Sequence, residues 1–585
     1  MHLRGRFLYG IRVFILLTAL IASKGPAVAQ TLSLAPGSVT LSATFESIGV
    51  RAKFSGDSNA NATATIKFRS SQEVAWHDAY PPFIDRRATI GGVANPYAFE
   101  ARGSIVGLTS NTVYQVQVTW ADPDGVSGAQ PGVATVTTLS YTPPTGGSTI
   151  TVTDSASLAS ALSSVSPGQT IHLNPGTYNA FTVNRSGDSG AWIIIEGDPA
   201  LTSIVTGMGD NPNIRVNANF IILQKLTLSA SDFYGIIIGP SQHHLFIQDN
   251  TLQDVSHLCA EGPTTTHYGD TGIYVGNGAT NVYILRNTIL STSLAGCVQS
   301  IPYNGPGAGI GWTNATTLVI DRNTVIGSFR DAISADDDRA GVDVDVSRNR
   351  VSGYVDDGIE SKGYNVNTRL WGNNITATNA DTCIAGNTND PRVPYGPLYI
   401  FRNVCRTSGS ALSGGGSVFK ITPGAPMYIF HNSMDSSLSA VPNWDLFSMS
   451  GNNGPVVIFN NITKSSGSIF GGTSSEALTT DYNLGTSESA WAYSWNGSTT
   501  YDTFAAFRTG TGQEAHGLNV DPLFADTGLR IGAISPAVDK GVILPNFNTL
   551  DSAWPYSGSA PDIGAFELRT LPAQAPAAPT NLRIQ

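Results

Sequence analysis

Two short segments concentrate chemistry-capable side chains in this 585-residue chain. FRDAISADDD contributes Asp331, Asp336, Asp337 and Asp338, and YVDDGIESKG contributes Asp356, Asp357, Glu360 and Lys362. A second lysine, Lys420, follows in SVFKIT. Carboxylates crowded together repel, so each cluster needs compensation. A hard cation such as Ca²⁺, held by Asp331, Asp357 and Glu360, is one form of it. A neighbouring ammonium is another, and Lys362 or Lys420 could then serve as a general base. The third is a shared proton with a raised pKa, which would make one carboxyl a general acid. The bland alternative is a solvated Asp-rich turn, most natural for DDDRAG at residues 336–341.

Whether these groups meet depends on the elements that carry them, and a loose internal repeat supplies the frame. A unit of aliphatic-x-x-Asn-x-aliphatic recurs around Asn250, Asn287, Asn323, Asn349, Asn373, Asn403, Asn432 and Asn461. The steps are 37, 36, 26, 24, 30, 29 and 29 residues. A floor near 24 with variable excess predicts a solenoid whose coils carry three short strands and loops of differing length. One coil cannot bury its own apolar residues, so stacking supplies the core, and an inward Asn at one corner can bond its neighbours above and below. The segments after the Asn units align on Ile273, Ile310, Ile333, Ile359, Ile384 and Phe419. With these anchors inward, flanking residues form outward columns on coils about 4.8 Å apart. Two positions before the anchor stand Asp331 and Asp357; one after it stand Glu360 and, two coils on, Lys420. The alignment thus predicts an acidic cluster on two adjacent coils beside lysines. Tyr268, Trp312, Arg339, Tyr364, Arg369, Arg392 and Arg402 are candidates to line a substrate-binding groove around it, with His267 and Tyr395 further aromatic candidates. His431 reads as structural, and His243 and His244 lack an acidic partner at metal-ligand spacing.

Composition narrows the class. Only 13% of residues are charged and 41% are hydrophobic, with 62 Gly and 32 Pro. Disordered chains, coiled coils and long-helix bundles need more charge or fewer helix breakers. Lys and Arg number 32 against 43 Asp and Glu, which favours neither nucleic acid nor an anionic membrane as partner. Arg4, Arg6 and Arg12, a short apolar run from residue 13 to 22 and Ala27-Val28-Ala29 read as a secretory signal, residues 1–29. At about ten residues the run is too short to span a bilayer, so the expected location is extracellular or periplasmic. Four cysteines in an oxidising compartment suggest disulfides. Cys383 and Cys405, 22 residues apart, are about one coil apart and are the favoured pair, leaving Cys259 with Cys297. Nothing calls for an organic cofactor, and the oligomeric state is not legible.

The expected fold is all-β, a solenoid of short strands preceded by a small β-sandwich; the resemblance described next implies that the solenoid is a right-handed parallel β-helix. Residues 30–140 alternate with period two between turn residues, as in VYQVQVTW. The stretch GLTSNTVYQVQVTW resembles a fibronectin type III domain, with Leu108 and Tyr114 at that family's late-strand positions. Such modules are commonly spacers or substrate-presenting platforms. YTPPTGGS forms a linker over 141–148, the solenoid takes 149–570, and 571–585 is a flexible tail. Residues 154–165 carry Leu158, Leu162 and Val165 on one helical face with Asp154 as N-cap, a cover for the first coil.

PGQTIHLNPGTY, residues 167–178, resembles the opening of right-handed parallel β-helix proteins of the pectate-lyase-like superfamily. NVDPLF, SPAVDKG and APDIGAFE resemble closing segments of that group. The resemblance implies a carbohydrate-active protein, and the superfamily holds lyases, hydrolases, epimerases and non-catalytic adhesins. DDGIESKG with a downstream Arg resembles β-helix lyases that use acidic calcium ligands and a Lys base. Asp356 and Asp357 with Asp337 or Asp338 resemble the Asp plus Asp-Asp set of inverting β-helix glycosidases. DDGIESK also echoes the polygalacturonase DDCIAIK, but that family's GHG and RIK motifs are absent. The expectation is a secreted polysaccharide lyase cleaving a uronate-containing glycan by β-elimination. An inverting glycoside hydrolase and a non-catalytic glycan-binding protein are the alternatives.

Overall fold

The computed structural model describes residues 31–90, 92–207, 212–229, 234–253, 271–290, 307–327, 330–335, 341–354, 356–361, 365–377, 382–386, 395–407, 417–421, 426–437, 445–449, 455–471 and 478–568. Among them, three long sheets of 14, 12 and 13 strands wind in parallel through the chain, each strand pairing with its counterpart one coil on. This is a right-handed parallel β-helix. Only its final hairpin, Ala492–Trp495 with Thr499–Tyr501, is antiparallel. One continuous core of Ile, Leu and Val fills the interior.

The recurring Asn makes the corner between the first and second sheets. The residue before it sits at positive φ in coil after coil, including Asp249, Arg286, Arg322, Arg348 and Arg402. A left-handed non-glycine residue costs roughly 1–2 kcal/mol, so something must offset it. The offset is a ladder. Backbone N and Nδ2 of Asn349 both donate to Oδ1 of Asn373, at 3.0 Å each, and Nδ2 also donates to Ile320 O. The same pattern runs from Asn250 through Asn287, Asn323, Asn373, Asn403 and Asn432 to Asn461 and Asn483. At its end Glu514 takes the place of the next Asn, accepting from Asn483 N and Nδ2.

Both ends are covered. Helix Ser155–Ser164 has Asp154 as N-cap in a capping box with Ser157, and buries Leu158 and Ala161 over the first coil. Phe507, from helix Phe504–Thr511, stacks on Phe470 at the other end. The segments expected to close the solenoid do something else. They return along its side: Ala565 N donates to Ser433 Oγ, and Gly564 O accepts from Nδ1 of buried His431 at 3.1 Å. Gly564 lies at φ +105°, and a Cβ there would come within 2.6 Å of Ile462.

The N-terminal strands form two four-stranded antiparallel sheets packed around a shared core that includes Ile48, Val50, Ile66, Val116 and Trp120. Tyr114 Oη accepts from Thr109 N, tying the sandwich corner. This sandwich is not a spacer on a free linker. It lies against the outer face of the first sheet: Phe45 packs on Phe246 and Tyr283, and Tyr80 packs on Tyr428 and Phe430. Tyr141, inside the expected linker, stacks on Phe45 at 4.0 Å. Polar contacts reinforce the seam, with Arg348 bridging Glu46 and Asp321 and Arg102 donating to Gly396 O. Among the described residues no helix is long and apolar enough to cross a membrane.

Candidate functional site

The third sheet positions the acids. Its strands Ala308–Trp312, Asp331–Ala335, Asp357–Glu360, Thr382–Gly386 and Ser417–Ile421 place Ile310, Ile333, Ile359, Ile384 and Phe419 opposite one another, as the alignment predicts. The residue before each anchor is skipped in this register and also faces the core. Ala332, Cys383 and Val418 belong to the core, and a Cβ on Gly358 would meet Tyr354 and Ile375. Two successive inward residues break the strict alternation of a strand. The positions on either side of the pair therefore share the outer face, which brings Asp357 and Glu360 to one spot.

Asp331, Asp357 and Glu360 each offer an oxygen within 4.8 Å of the others. They are 5%, 1% and 2% exposed, so the cluster is sunk below the surface where an open outer wall was expected. Asp331 Oδ1 accepts from Asp357 N at 3.2 Å, and Glu360 Oε2 accepts from Ser334 Oγ at 3.2 Å. Neither oxygen of Asp357 has a hydrogen-bond partner among the described residues. Lys420 Nζ lies 3.6 Å from Asp357 Oδ2, reaching back past Ala385, its small register partner. Arg330 Nε stands 3.5 Å from Asp356 Oδ2 and 4.0 Å from Asp331 Oδ2.

The electrostatics follow from burial and crowding. Burial, and after it the charge of Glu360, pushes the Asp357 carboxyl well above the usual aspartate range, more than Lys420 offsets. Burial disfavours the Lys420 ammonium, yet Asp357, Asp356, Glu360 and Asp331 together hold its pKa above the ordinary lysine value. Arg330 is raised in the same way against its own burial, by Asp331, Asp356 and Glu360. Four carboxylates against two cations leave a formal charge of minus two among these residues.

That donor set fits a hard divalent cation. All its ligand atoms are carboxylate oxygens, and two oxygens on opposite sides of a Ca²⁺ ion stand about 5 Å apart at most. The spacing also bears on acid–base chemistry. An inverting carboxyl pair needs about 6.5–9.5 Å between its members, more than this trio's closest approach.

Arg330 is a residue that sequence reasoning missed. It stands three positions before the Ile333 anchor, in the column that holds Asp356 one coil later, so one more column of the same alignment exposes the pair. Other expected site residues are elsewhere. Trp312 is fully buried in the core, because its position faces inward. Arg369 lies on the first sheet, under the sandwich, where it pairs with Asp345 and Asp343 and donates to Ser104 Oγ. Arg402 is buried at the Asn corner, donating to Ala565 O and Phe547 O with its guanidinium over Trp554. Tyr395 packs edge-on against Tyr97 of the sandwich. The disulfide Cys383–Cys405 is present with its Cα atoms 6.2 Å apart. Asp336, Asp337, Asp338, Lys362, Tyr268, His267, Arg339, Tyr364, Arg392, Cys259 and Cys297 lie outside the described residues, as do residues 1–30 and 569–585.

No protein-family model matches the chain, and no curated protein matches it. Among solved structures it is similar to a PL6 family alginate lyase, at 12% identity and a TM-score of 0.37 over 68% of this chain. The match spans only 60% of that lyase's length. It is also similar to the catalytic domain of a GH87 α-1,3-glucanase, at 9% identity and a TM-score of 0.31, covering 83% of this chain and 91% of that one. The β-helix itself is defined by this chain's own sheet pairing.

Proposed function

We propose that the protein is an exported polysaccharide lyase that cleaves a uronate-containing glycan by β-elimination at the third-sheet acid cluster. One observation carries this reading: three buried carboxylates within 4.8 Å of one another, including an Asp357 whose oxygens lack hydrogen-bond partners, next to a lysine. Asp331, Asp357 and Glu360 would hold Ca²⁺. When bound, that cation neutralises the substrate carboxylate, acidifies the adjacent C5 proton and offsets the charges that keep Lys420 protonated. Lys420 Nζ, as the free amine, accepts the C5 proton. The electron pair left behind forms the C4–C5 double bond, and the glycosidic oxygen at C4 leaves with a proton from solvent. Arg330 holds Asp331 and Asp356 in place, while the buried position of the trio limits competing water. Lys362 is the second candidate base. The sandwich, in this reading a fibronectin type III-like module, stiffens the first sheet.

A raised Asp357 carboxyl also suits the general acid of a glycoside hydrolase, which is the second reading. The test is turnover on a panel of alginate, polygalacturonate and neutral glucans, with and without chelator. A lyase yields products with the ultraviolet absorbance of the new double bond and loses activity on chelation; a hydrolase yields reducing ends without that absorbance. Release of no product from any polymer supports the non-catalytic glycan-binding alternative. Lys420→Ala and Lys362→Ala separate the two bases, and full activity in both variants would refute the elimination as drawn.

A further inference from the structure

The turns that follow the acid-bearing strands are held by the N-terminal sandwich. Glu360 is the last residue of its strand, so what fixes it on its C-terminal side is the turn that begins at Ser361. Ser361 is fully buried; its N donates to Ala385 O, and its Oγ donates to Asn365 Oδ1 at 2.6 Å. Asn365 Nδ2 returns a bond to Ser361 O at 3.3 Å, which closes the turn. Val366, next in the chain, lies in a small apolar cluster with Ile90 and Tyr97 of the sandwich. Asn367 Nδ2 then donates to Val50 O of the sandwich at 3.4 Å. The turn after the Asp331 strand takes the same path: Val342 joins that cluster, Asp343 N donates to Val366 O, and Val366 N donates to Gly341 O. Asp343 lies so close to Gly49 of the sandwich that a Cβ there would come within 1.7 Å of its Oδ1. One coil on, after strand Thr382–Gly386, Tyr395 belongs to the cluster too, and the buried Arg102 guanidinium donates to Tyr395 O and Gly396 O.

Successive turns from the third sheet to the first are therefore clamped by the sandwich, on the coils that hold Asp331, Asp357 and Glu360 and on the coil beside them. Resting on the reading of the acid cluster as a cation-holding site, we infer that the sandwich is a positioning part of that site. The Ile90–Val366 contact and the Ser361–Asn365 pair set where Glu360 and the strand ends beside it stand. The physical reason is tolerance. Site residues must be held to about 0.5 Å of their productive geometry, and they gain that precision only from the groups packed behind them. Groups that orient metal ligands are commonly worth about 10–100-fold in affinity. Phe45 and Tyr80 dock the same sandwich on other coils, against Phe246 and Tyr283 and against Tyr428 and Phe430, so they report docking without positioning.

The experiment compares variants of the whole protein. Calcium is titrated by calorimetry into chelator-stripped protein, hydrogen exchange is read over residues 357–361, and each variant's denaturation midpoint is measured. Ile90→Ala, Tyr97→Ala and Ser361→Ala should each weaken calcium binding about tenfold and speed exchange over 357–361, while Ile90→Val stays within about twofold of the wild type. Phe45→Ala and Tyr80→Ala should lower the denaturation midpoint at least as far as Ile90→Ala, yet leave calcium affinity and exchange over 357–361 unchanged. Unchanged affinity and exchange in the two sandwich variants Ile90→Ala and Tyr97→Ala would overturn the inference, whatever Ser361→Ala does. So would losses that simply follow the denaturation midpoint across Phe45→Ala, Tyr80→Ala and the rest. A wild type that neither takes up calcium nor turns over any polymer sinks the lyase reading alone; exchange over 357–361 in Ile90→Ala against Tyr80→Ala still decides the positioning.

Discussion

Removing one charge separates the two consequences of burying Asp357. Asp357→Asn keeps shape and volume but deletes the carboxylate that burial and Glu360 destabilise. Turnover should therefore fall by about 10²-fold or more, the range of effects seen for single acid–base groups. The cation-free protein should melt higher than the wild type, because a buried charge without hydrogen-bond partners has been removed. Calorimetry in chelator, alongside the absorbance assay, checks both. A variant that melts lower and keeps its activity would show that Asp357 is a packing residue. Calcium should raise the wild-type midpoint and leave that of Asp357→Asn nearly unmoved.

At the scale of elements, the Asn ladder is a polar spine inside an apolar core, and its weakest rung is the last. Burial raises the Glu514 carboxyl to about 7 from 4.5, against the hydrogen bonds from Thr480 and Asn483. The native pKa lies above the unfolded one, so the contribution of this group to stability is fully present below pH 4.5 and is lost as pH rises towards about 7. Glu514→Gln keeps an acceptor for Asn483 and carries no charge. It should flatten that slope and gain about 3 kcal/mol above neutrality. Denaturant melts at pH 5 and pH 8 would report it; a slope unchanged by the substitution would place the titration elsewhere. Much of this element was readable from the chain. The Asn spacing announced the coil, the corner and the ladder, because a bend that leaves backbone groups unpaired needs a side-chain donor and acceptor at every turn. The carboxylate that ends the ladder was not readable, since Glu514 arrives 31 residues after Asn483 outside the repeat pattern.

For the whole molecule, the sandwich and the solenoid are joined through a buried seam. Arg369 is fully buried there with Asp345 and Asp343, and burial lifts Asp343 to about 6. Arg369→Ala would strand both acids and should cost about 3–5 kcal/mol, read as a lower denaturation midpoint and faster proteolysis of the seam. If the midpoint were unchanged, the two parts would be docked by their aromatic face alone. The seam had a signature that composition masks: LYIF, MYIF and VVIF are apolar on both faces, the mark of strands covered on either side.

The coil, its core and the two columns that bring Asp331 and Asp357 beside Glu360 were all set by local spacing, because a repeating solenoid converts sequence offset directly into spatial register. Burial was not. That Arg369, Arg402 and Tyr395 belong to packing depends on long-range docking of the sandwich and of the returning C-terminal segments. A linear pattern records which residues repeat; it does not record which of three outer faces another part of the chain will cover.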